Sequence, residues 1–331
     1  MLTRVAVDAM GGDHAPGAIV RGALQALADD SELELVLVGD EERIRRELPP
    51  AAVDGFDARL RIAHASQVIA MDAPPVEALR SHKDSSLVRM TQLAVAGEVD
   101  AVVSAGNTGA CAAVCQLKMK PLSGVTRPGI AVTIPSFYGP FVLCDVGANI
   151  QARPRHLYEY AVMATLYAQM VLDVESPRVA LMSIGEESGK GTGLVKQTHK
   201  LLKDDPGINF VGNVEGRELF EDRCDVAICD GFVGNIVLKF VEGLAEGLFR
   251  TIAREFEDER PDLKSKFNSA LDRVRRRHDY SRYGGAPLLG VNGICIICHG
   301  RSNENALRNA VKAAQRFVRQ GFNEAVTARL C

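Results

Sequence analysis

Short, nearly unbroken apolar runs alternate with longer stretches of helical period along the whole chain. Val5–Val7, Leu33–Val38, Ala101–Val103, Val142–Cys144, Val179–Met182, Val226–Ile228 and Ile294–Ile297 are apolar at almost every position and are bounded by Gly or Asp. Strands covered by helices on both faces read this way, whereas a strand with one wet face alternates. Between them Ala15–Leu27, Ser86–Gly97, Pro154–Val171, Thr192–Leu202, Asn235–Arg254 and Asn303–Leu330 carry helical spacing. The pattern predicts an α/β fold: a doubly wound, mostly parallel sheet in an α/β/α sandwich, with residues 1–331 forming a single catalytic domain. Ile130–Ile134 and Phe141–Cys144, joined by Pro135–Pro140, read instead as a local antiparallel pair. One stretch breaks the rhythm. Over residues 255–283 charges dominate, Pro261 interrupts the helix and no strand appears. A projecting helical excursion is expected there, with Leu263, Phe267, Ala270, Leu271 and Val274 on a face that packs on its own chain or on a second copy.

Seven loops at the ends of these runs share one design. They are Asp8–His14, Ser104–Gly109, Asp145–Asn149, Gly185–Gly191, Gly212–Gly216, Asp230–Asn235 and His299–Ser302, each mixing Gly with small polar or charged residues. Open α/β sheets gather such loops at the carboxyl ends of their strands, where ligands bind. Helix N-termini there present N–H groups and positive dipole ends, so the expected guest is an anion such as phosphate.

Within Gly185–Thr192 the spacing is not that of a P-loop, because Gly191 follows Lys190 where Ser or Thr should stand. Gly189, Lys190 and Gly191 can still cradle an anion with one mobile positive charge. Asn107 and Thr108 can bind phosphate at a helix start, although helix capping alone explains them equally well. Asn235 is either an N-cap or a neutral amide that orients a ligand. His14 and His299 are candidates for proton handling. Cys295–His299 matches the attachment string for c-type haem, but its Ile-Ile centre reads as a buried strand in which Cys packs as a small hydrophobe. Neither a metal site nor a dinucleotide, serine-hydrolase or zincin motif is found.

Composition narrows the class further. A chain of 331 residues with 47% hydrophobic and 24% charged residues is an ordinary globular protein, and a net charge of −3 gives no pull toward nucleic acid. No Trp is available for base stacking. No apolar run approaches the ~18 residues that span a bilayer, and the N-terminus enters a strand directly, so a cytoplasmic location with reduced Cys is expected.

Taken in order, Val7–Pro16, Ser104–Ala110, Leu143–Asn149, Gly212–Arg217, Asp230–Lys239 and Tyr283–Gly290 resemble the bacterial PlsX family, acyl-acyl-carrier-protein:phosphate acyltransferases of phospholipid synthesis. The resemblance runs from residue 3 to about residue 320. It implies a fold like that of phosphate acetyltransferases and isocitrate-type dehydrogenases, a homodimer, and peripheral association with the inner face of the cell membrane, near the membrane acyltransferase that consumes acyl phosphate. The implied reaction joins inorganic phosphate to the acyl group of acyl-acyl-carrier protein and requires no metal or organic cofactor. It supports Lys190 and Asn235 as catalytic residues above the other candidates. The chain departs from the family at Gln151, where an Asp is common, and in a projection more charged than usual. Arg273, Arg275, Arg276 and Arg277 form its densest basic run, suited to an anionic carrier protein or an anionic membrane surface. An acetyltransferase-like enzyme using acyl-coenzyme A, and a non-enzymatic acyl- or phosphate-binding regulator, are the alternatives.

Overall fold

The computed structural model describes residues 2–49, 58–256, 261–277 and 280–331, with backbone alone at 261–265, 276, 277 and 280. Its strands are β1 (Thr3–Asp8), β2 (Leu33–Gly39), β3 (Leu60–His64), β4 (Ala101–Ser104), β5 (Gly129–Ser136), β6 (Gly139–Cys144), β7 (Val179–Met182), β8 (Phe210–Val214), β9 (Val226–Ile228), β10 (Ala286–Leu289) and β11 (Ile294–Ile297). They form one eleven-stranded sheet among the described residues, in the order β3-β2-β1-β4-β11-β10-β5-β6-β9-β7-β8.

Successive residues of a strand point to opposite faces, and here both faces are dry. Val5, Val7, Leu35, Leu37, Ile294 and Ile296 enter one core. Ala6, Val36, Val38, Cys295 and Ile297 enter the other. The first core is closed by α1 (Gly17–Asp29), α6 (Pro154–Leu172), α10 (Glu304–Arg319) and α11 (Phe322–Leu330). The second is closed by α4 (Ser86–Val95), α5 (Thr108–Lys118) and part of α8 (Gly231–Glu255). Shorter helices, α2 (Glu41–Glu47) and α3 (Pro75–Ser81), flank the first half, α7 (Gly193–Lys203) follows β7, and α9 (Pro261–Arg277) follows α8.

All seven predicted apolar runs are strands, and the antiparallel pair is β5 with β6. Three strands are unpredicted: β3 and β8 lie at the two ends of the strand order and are only partly buried, so they lack the continuous apolar signature, while β10 is central and buried but its short apolar run is shared with Pro287. β8 also absorbs Gly212–Val214, which reads as loop in the sequence. The long C-terminal helix breaks at Gly321, whose φ of 65° is left-handed and glycine-compatible.

The sheet reverses in its middle. β11 and β10, β10 and β5, and β5 and β6 are each antiparallel. β9, β7 and β8 therefore run with β6, against β1, β2, β3, β4 and β11. The carboxyl ends of the two halves emerge at opposite edges of the sheet. The seven loops consequently form two groups instead of the single row expected from the sequence.

One ion-pair cluster ties α1 to α10. Asp29 accepts from Arg308 Nε at 2.6 Å and Nη2 at 2.8 Å, and lies 2.5 Å from Lys312 Nζ. Hydrogen bonds from Arg308 and then Lys312 hold its carboxyl down to about 2, from an ordinary 3.8. A depressed folded-state pKa contributes stability that is complete above the unfolded value and is lost as pH falls through the folded one. Asp29→Asn should therefore lower the thermal midpoint at neutral pH, and the gap should close as pH falls from 3.8 through about 2. Paired melting curves across that range check this; a gap unchanged at the acid end contradicts it.

Candidate active site

On the edge formed by β6, β9, β7 and β8, the loop after β6 is organised by the buried carboxylate of Asp145. Its Oδ1 accepts from the N–H groups of Ile130 (3.0 Å), Gly147 (3.1 Å) and Ala148 (2.9 Å), and its Oδ2 from Asn149 N (2.7 Å). Burial raises its pKa while these bonds pull the other way. The Asn149 amide donates to Pro128 O (2.6 Å) and Tyr160 Oη (2.7 Å), fastening the loop to β5 and α6.

α8 starts against this loop. Asp230 caps it, Oδ1 accepting from Phe232 N and Val233 N at 3.0 Å, and Gly231 N donates to Asn149 O at 2.9 Å. A methyl group at Gly234 would collide with Asp145 O. Asn235 is thus inside the helix and is not its cap. Its exposed amide lies over Gly147, with Oδ1 3.6 Å from where a Cβ there would stand.

The loop after β7 is fixed to its neighbours by Ser183 N to Val214 O (2.9 Å) and by Asn213 Nδ2 to Glu187 O (3.0 Å). Lys190 is exposed between Gly189 and Gly191, the latter at φ 87°. Thr192 caps α7 through its Oγ1, which accepts from Val195 N at 3.4 Å. Ser183 Oγ is buried with no hydrogen-bond partner, 2.9 Å from where a Cβ on Gly191 would stand. An exposed lysine beside a helix N-terminus can accept an anion.

Beside the Asp145 loop lies a cavity of about 640 Å³ whose lining includes Arg127, Gln151, Arg153 and His156. His156 Nδ1 accepts from Arg153 N at 3.1 Å, which leaves Nε2 as the protonated nitrogen of the neutral ring. Burial, with Arg127 and Arg153 adding to it, holds His156 below the ordinary value of 6.5 despite Glu159. Two guanidiniums and a neutral N–H donor make this a second anion-accepting surface. Sequence spacing gave no sign of it, because Arg127 meets residues 148–156 only through the pairing of β5 with β6.

The other edge gathers the remaining candidates. Asp8 accepts from Ser104 Oγ at 2.7 Å, and Asp13 N donates to Gly300 O at 2.8 Å, joining three loops. Asn107 is committed to the fold: Oδ1 accepts from Ala110 N at 3.0 Å, and Nδ2 donates to the carbonyls of Ala70, Met71 and Ala73. Thr108 and His14 are exposed, and His299 Nδ1 accepts from Arg301 N at 3.1 Å. His14 and His299 therefore share an edge with Asn107 and Thr108, while Lys190, Gly189, Gly191 and Asn235 occupy the opposite one.

On α9, Arg273 and Arg275 are exposed, and the Arg275 guanidinium lies 5.4 Å from the Phe249 ring centroid. The side chains of Arg276, Arg277 and Leu263 lie outside the described residues. Seven of the eight cysteines are buried, Cys295 and Cys298 among them, with burial among the causes pushing both thiols up. That environment suits neither haem attachment nor a thiolate nucleophile.

Residues 3–325 match the family model described as fatty acid synthesis protein. A phosphate acyltransferase of Heliobacterium modesticaldum is 47% identical over 325 residues, covering 98% of this chain and 96% of the relative. One from Desulfitobacterium hafniense (strain DSM 10664 / DCB-2) is 46% identical over 331 residues, covering 99% and 97%. Among solved structures, a phosphotransacetylase from Streptococcus pyogenes superposes with a TM-score of 0.64 at 16% identity, covering 96% of this chain and 94% of that one. A branched-chain phosphotransacylase from Enterococcus faecalis V583 gives 0.61 at 14% identity, covering 96% and 100%. At such identities the likeness shows the fold.

Close packing of α8 on Asp145 has a measurable consequence. An exposed helix glycine is normally improved by Ala, but Gly234→Ala should destabilise the protein by about 1–3 kcal/mol through overpacking. Chemical denaturation checks this, and a stabilised variant would show that the helix does not bear on the loop.

Proposed function

Because this chain belongs to the fatty acid synthesis protein family of phosphate acyltransferases, it is an enzyme that moves an acyl group onto phosphate for phospholipid synthesis, and we propose that its donor is acyl-acyl-carrier protein and its site the edge holding Lys190 and Asn235. One observation carries this assignment. Around the polar centre of that edge stand exposed apolar side chains: Ile150 at 68%, Ile184 at 83%, Phe232 at 59% and Ile236 at 52%. A cationic cradle rimmed by wet hydrophobes matches a substrate that is both anionic and greasy.

Phosphate sits at the start of α7 with Lys190. Already anionic at pH 7, it attacks the thioester carbonyl directly, and positioning replaces a covalent nucleophile. The Asn235 amide donates to the developing oxyanion, a charge that exists fully only in the transition state. The thiolate leaves as an anion, so the histidines of the other edge are not called on as acids. Arg127, Arg153 and His156 receive the phosphate of the carrier's thiol-bearing arm, and the acyl chain lies on the apolar rim.

Beyond Ile236 the same stripe continues as Phe240, Leu244, Leu248 and Ile252, all exposed, on a helix that fully buries only Gly231 and Gly234. A second copy of this chain covers it, giving a homodimer. Arg273 and Arg275 face the anionic carrier or the anionic membrane surface, where each contributes about 1 kcal/mol. Among the described residues no helix is long and apolar enough to cross a membrane.

Thiol release should require inorganic phosphate and should be faster with acyl-acyl-carrier protein than with acyl-coenzyme A. Preference for the coenzyme would make the donor assignment wrong, and phosphate-independent release would make the acceptor role wrong. Lys190→Ala should cut turnover by about 10²–10³, the usual cost of one preorganised charge-stabilising group. Asn235→Ala should fall comparably with an unchanged melting temperature, since Asp230 holds the cap; a loss traced wholly to unfolding would remove Asn235 from the chemistry.

A further inference from the structure

Cys111 and Cys115 lie one turn apart on α5 and face Cys295 on β11. Cys115 Sγ is 3.5 Å and Cys111 Sγ 4.0 Å from Cys295 Sγ, and all three sulfurs lie within 4.8 Å of one another. All are buried and unoxidised, packed in the apolar layer between α5 and the sheet, and none takes part in the proposed acyl transfer. Three sulfurs each bonded at about 2.3 Å to one ion stand roughly 3.5–4 Å apart, nearer the lower figure when the ion carries a lone pair and sits above their plane. The triangle already has the dimensions of a three-coordinate thiolate site.

Charge then selects the ion. Three thiolates bring three negative charges into an apolar layer, where uncompensated charge is strongly disfavoured. A monovalent ion leaves two of them and divalent zinc leaves one. Zinc also calls for a fourth ligand, and among the described residues no further Cys, His or carboxylate joins the triangle. The buried Asp8 carboxyl, which acts on Cys111, makes any residual negative charge less favourable still. A trivalent ion neutralises all three thiolates and needs no fourth partner, and soft sulfur ligands favour a soft ion.

We propose that Cys111, Cys115 and Cys295 form a binding site for a trivalent thiophilic ion of the arsenite class, held between α5 and β11. On loading, the three As–O bonds of arsenous acid and the three S–H bonds break and three As–S bonds form. Each thiol proton leaves with a hydroxide as water, and no electron changes hands.

Reduced full-length protein is incubated with arsenite, both folded and during refolding, so that access to a buried site does not decide the result. Unbound arsenic is removed by gel filtration. The native chain should retain a single equivalent by at least one route, with X-ray absorption showing three sulfur neighbours and no oxygen. Cys331→Ser, at an exposed cysteine outside the triangle, should behave like the native chain. Cys111→Ser, Cys115→Ser and Cys295→Ser should each weaken retention by ~100-fold or more, beyond the ~10–100-fold that loss of an outer-shell partner costs. The proposal is overturned by no retention by either route, by a mixed sulfur–oxygen shell in the native chain, by undiminished retention in Cys295→Ser, or by zinc displacing arsenic in competition. Should a Ser variant fail to fold, the absorption spectrum of the native chain decides alone.

Discussion

The Asp145 carboxylate collects the backbone N–H groups of Ile130, Gly147, Ala148 and Asn149 at 2.7–3.1 Å, and the edge that carries Lys190 and Asn235 is built outward from that knot. A buried carboxylate is tolerable only when its lone pairs are used, so the loop after β6 has to wrap around it. Once wrapped, the loop offers Asn149 O to the first turn of α8, and only a glycine at 234 lets the helix come that close. Asn235 and the apolar stripe behind it take their positions from this contact. The rim of the cationic cavity is the same loop seen from the other side.

The reversal of the sheet decides which loops can cooperate. A purely parallel doubly wound sheet would set all the glycine-rich loops in one row; three antiparallel pairings in the centre send those after β6, β7 and β9 to one edge and those after β1, β4 and β11 to the other. Lys190 and Asn235 thereby fall together, and the Asp8–Ser104 pair and its neighbours become an architectural knot of their own. Asn107 illustrates the difference. Its amide joins α5 to the 70–73 segment and is occupied by the protein itself.

Much of this was legible because burial on both faces leaves a simple mark: runs such as Val179–Met182 and Ile294–Ile297 have no polar position. Edge strands leave no such mark, which is why Leu60–His64 and Phe210–Val214 escaped notice. Lys190 stood out as a lone cation between glycines. Arg127, Arg153 and His156 did not, since strand pairing and not sequence spacing brings them together. Sequence alone leaves Asn235 between cap and ligand-orienting amide, and the capping bonds belong to Asp230. Cys295 and Cys298, close in sequence, face opposite cores: alternation along the strand turns Cys295 toward Cys111 and Cys115 and sends Cys298 to the other side.

The proposed site holds donors and cations, on a chain whose cysteines are buried in all but one case, and the proposed mechanism lets phosphate itself attack. If no acyl group ever resides on the enzyme, the carrier thiol cannot leave until phosphate is present. The most direct measurement is isotope exchange: labelled free carrier protein is incubated with unlabelled acyl-acyl-carrier protein and the enzyme, with phosphate rigorously removed. Direct attack predicts no label in the acyl thioester until phosphate is added. Exchange in the absence of phosphate would reveal an acyl-enzyme and contradict direct transfer.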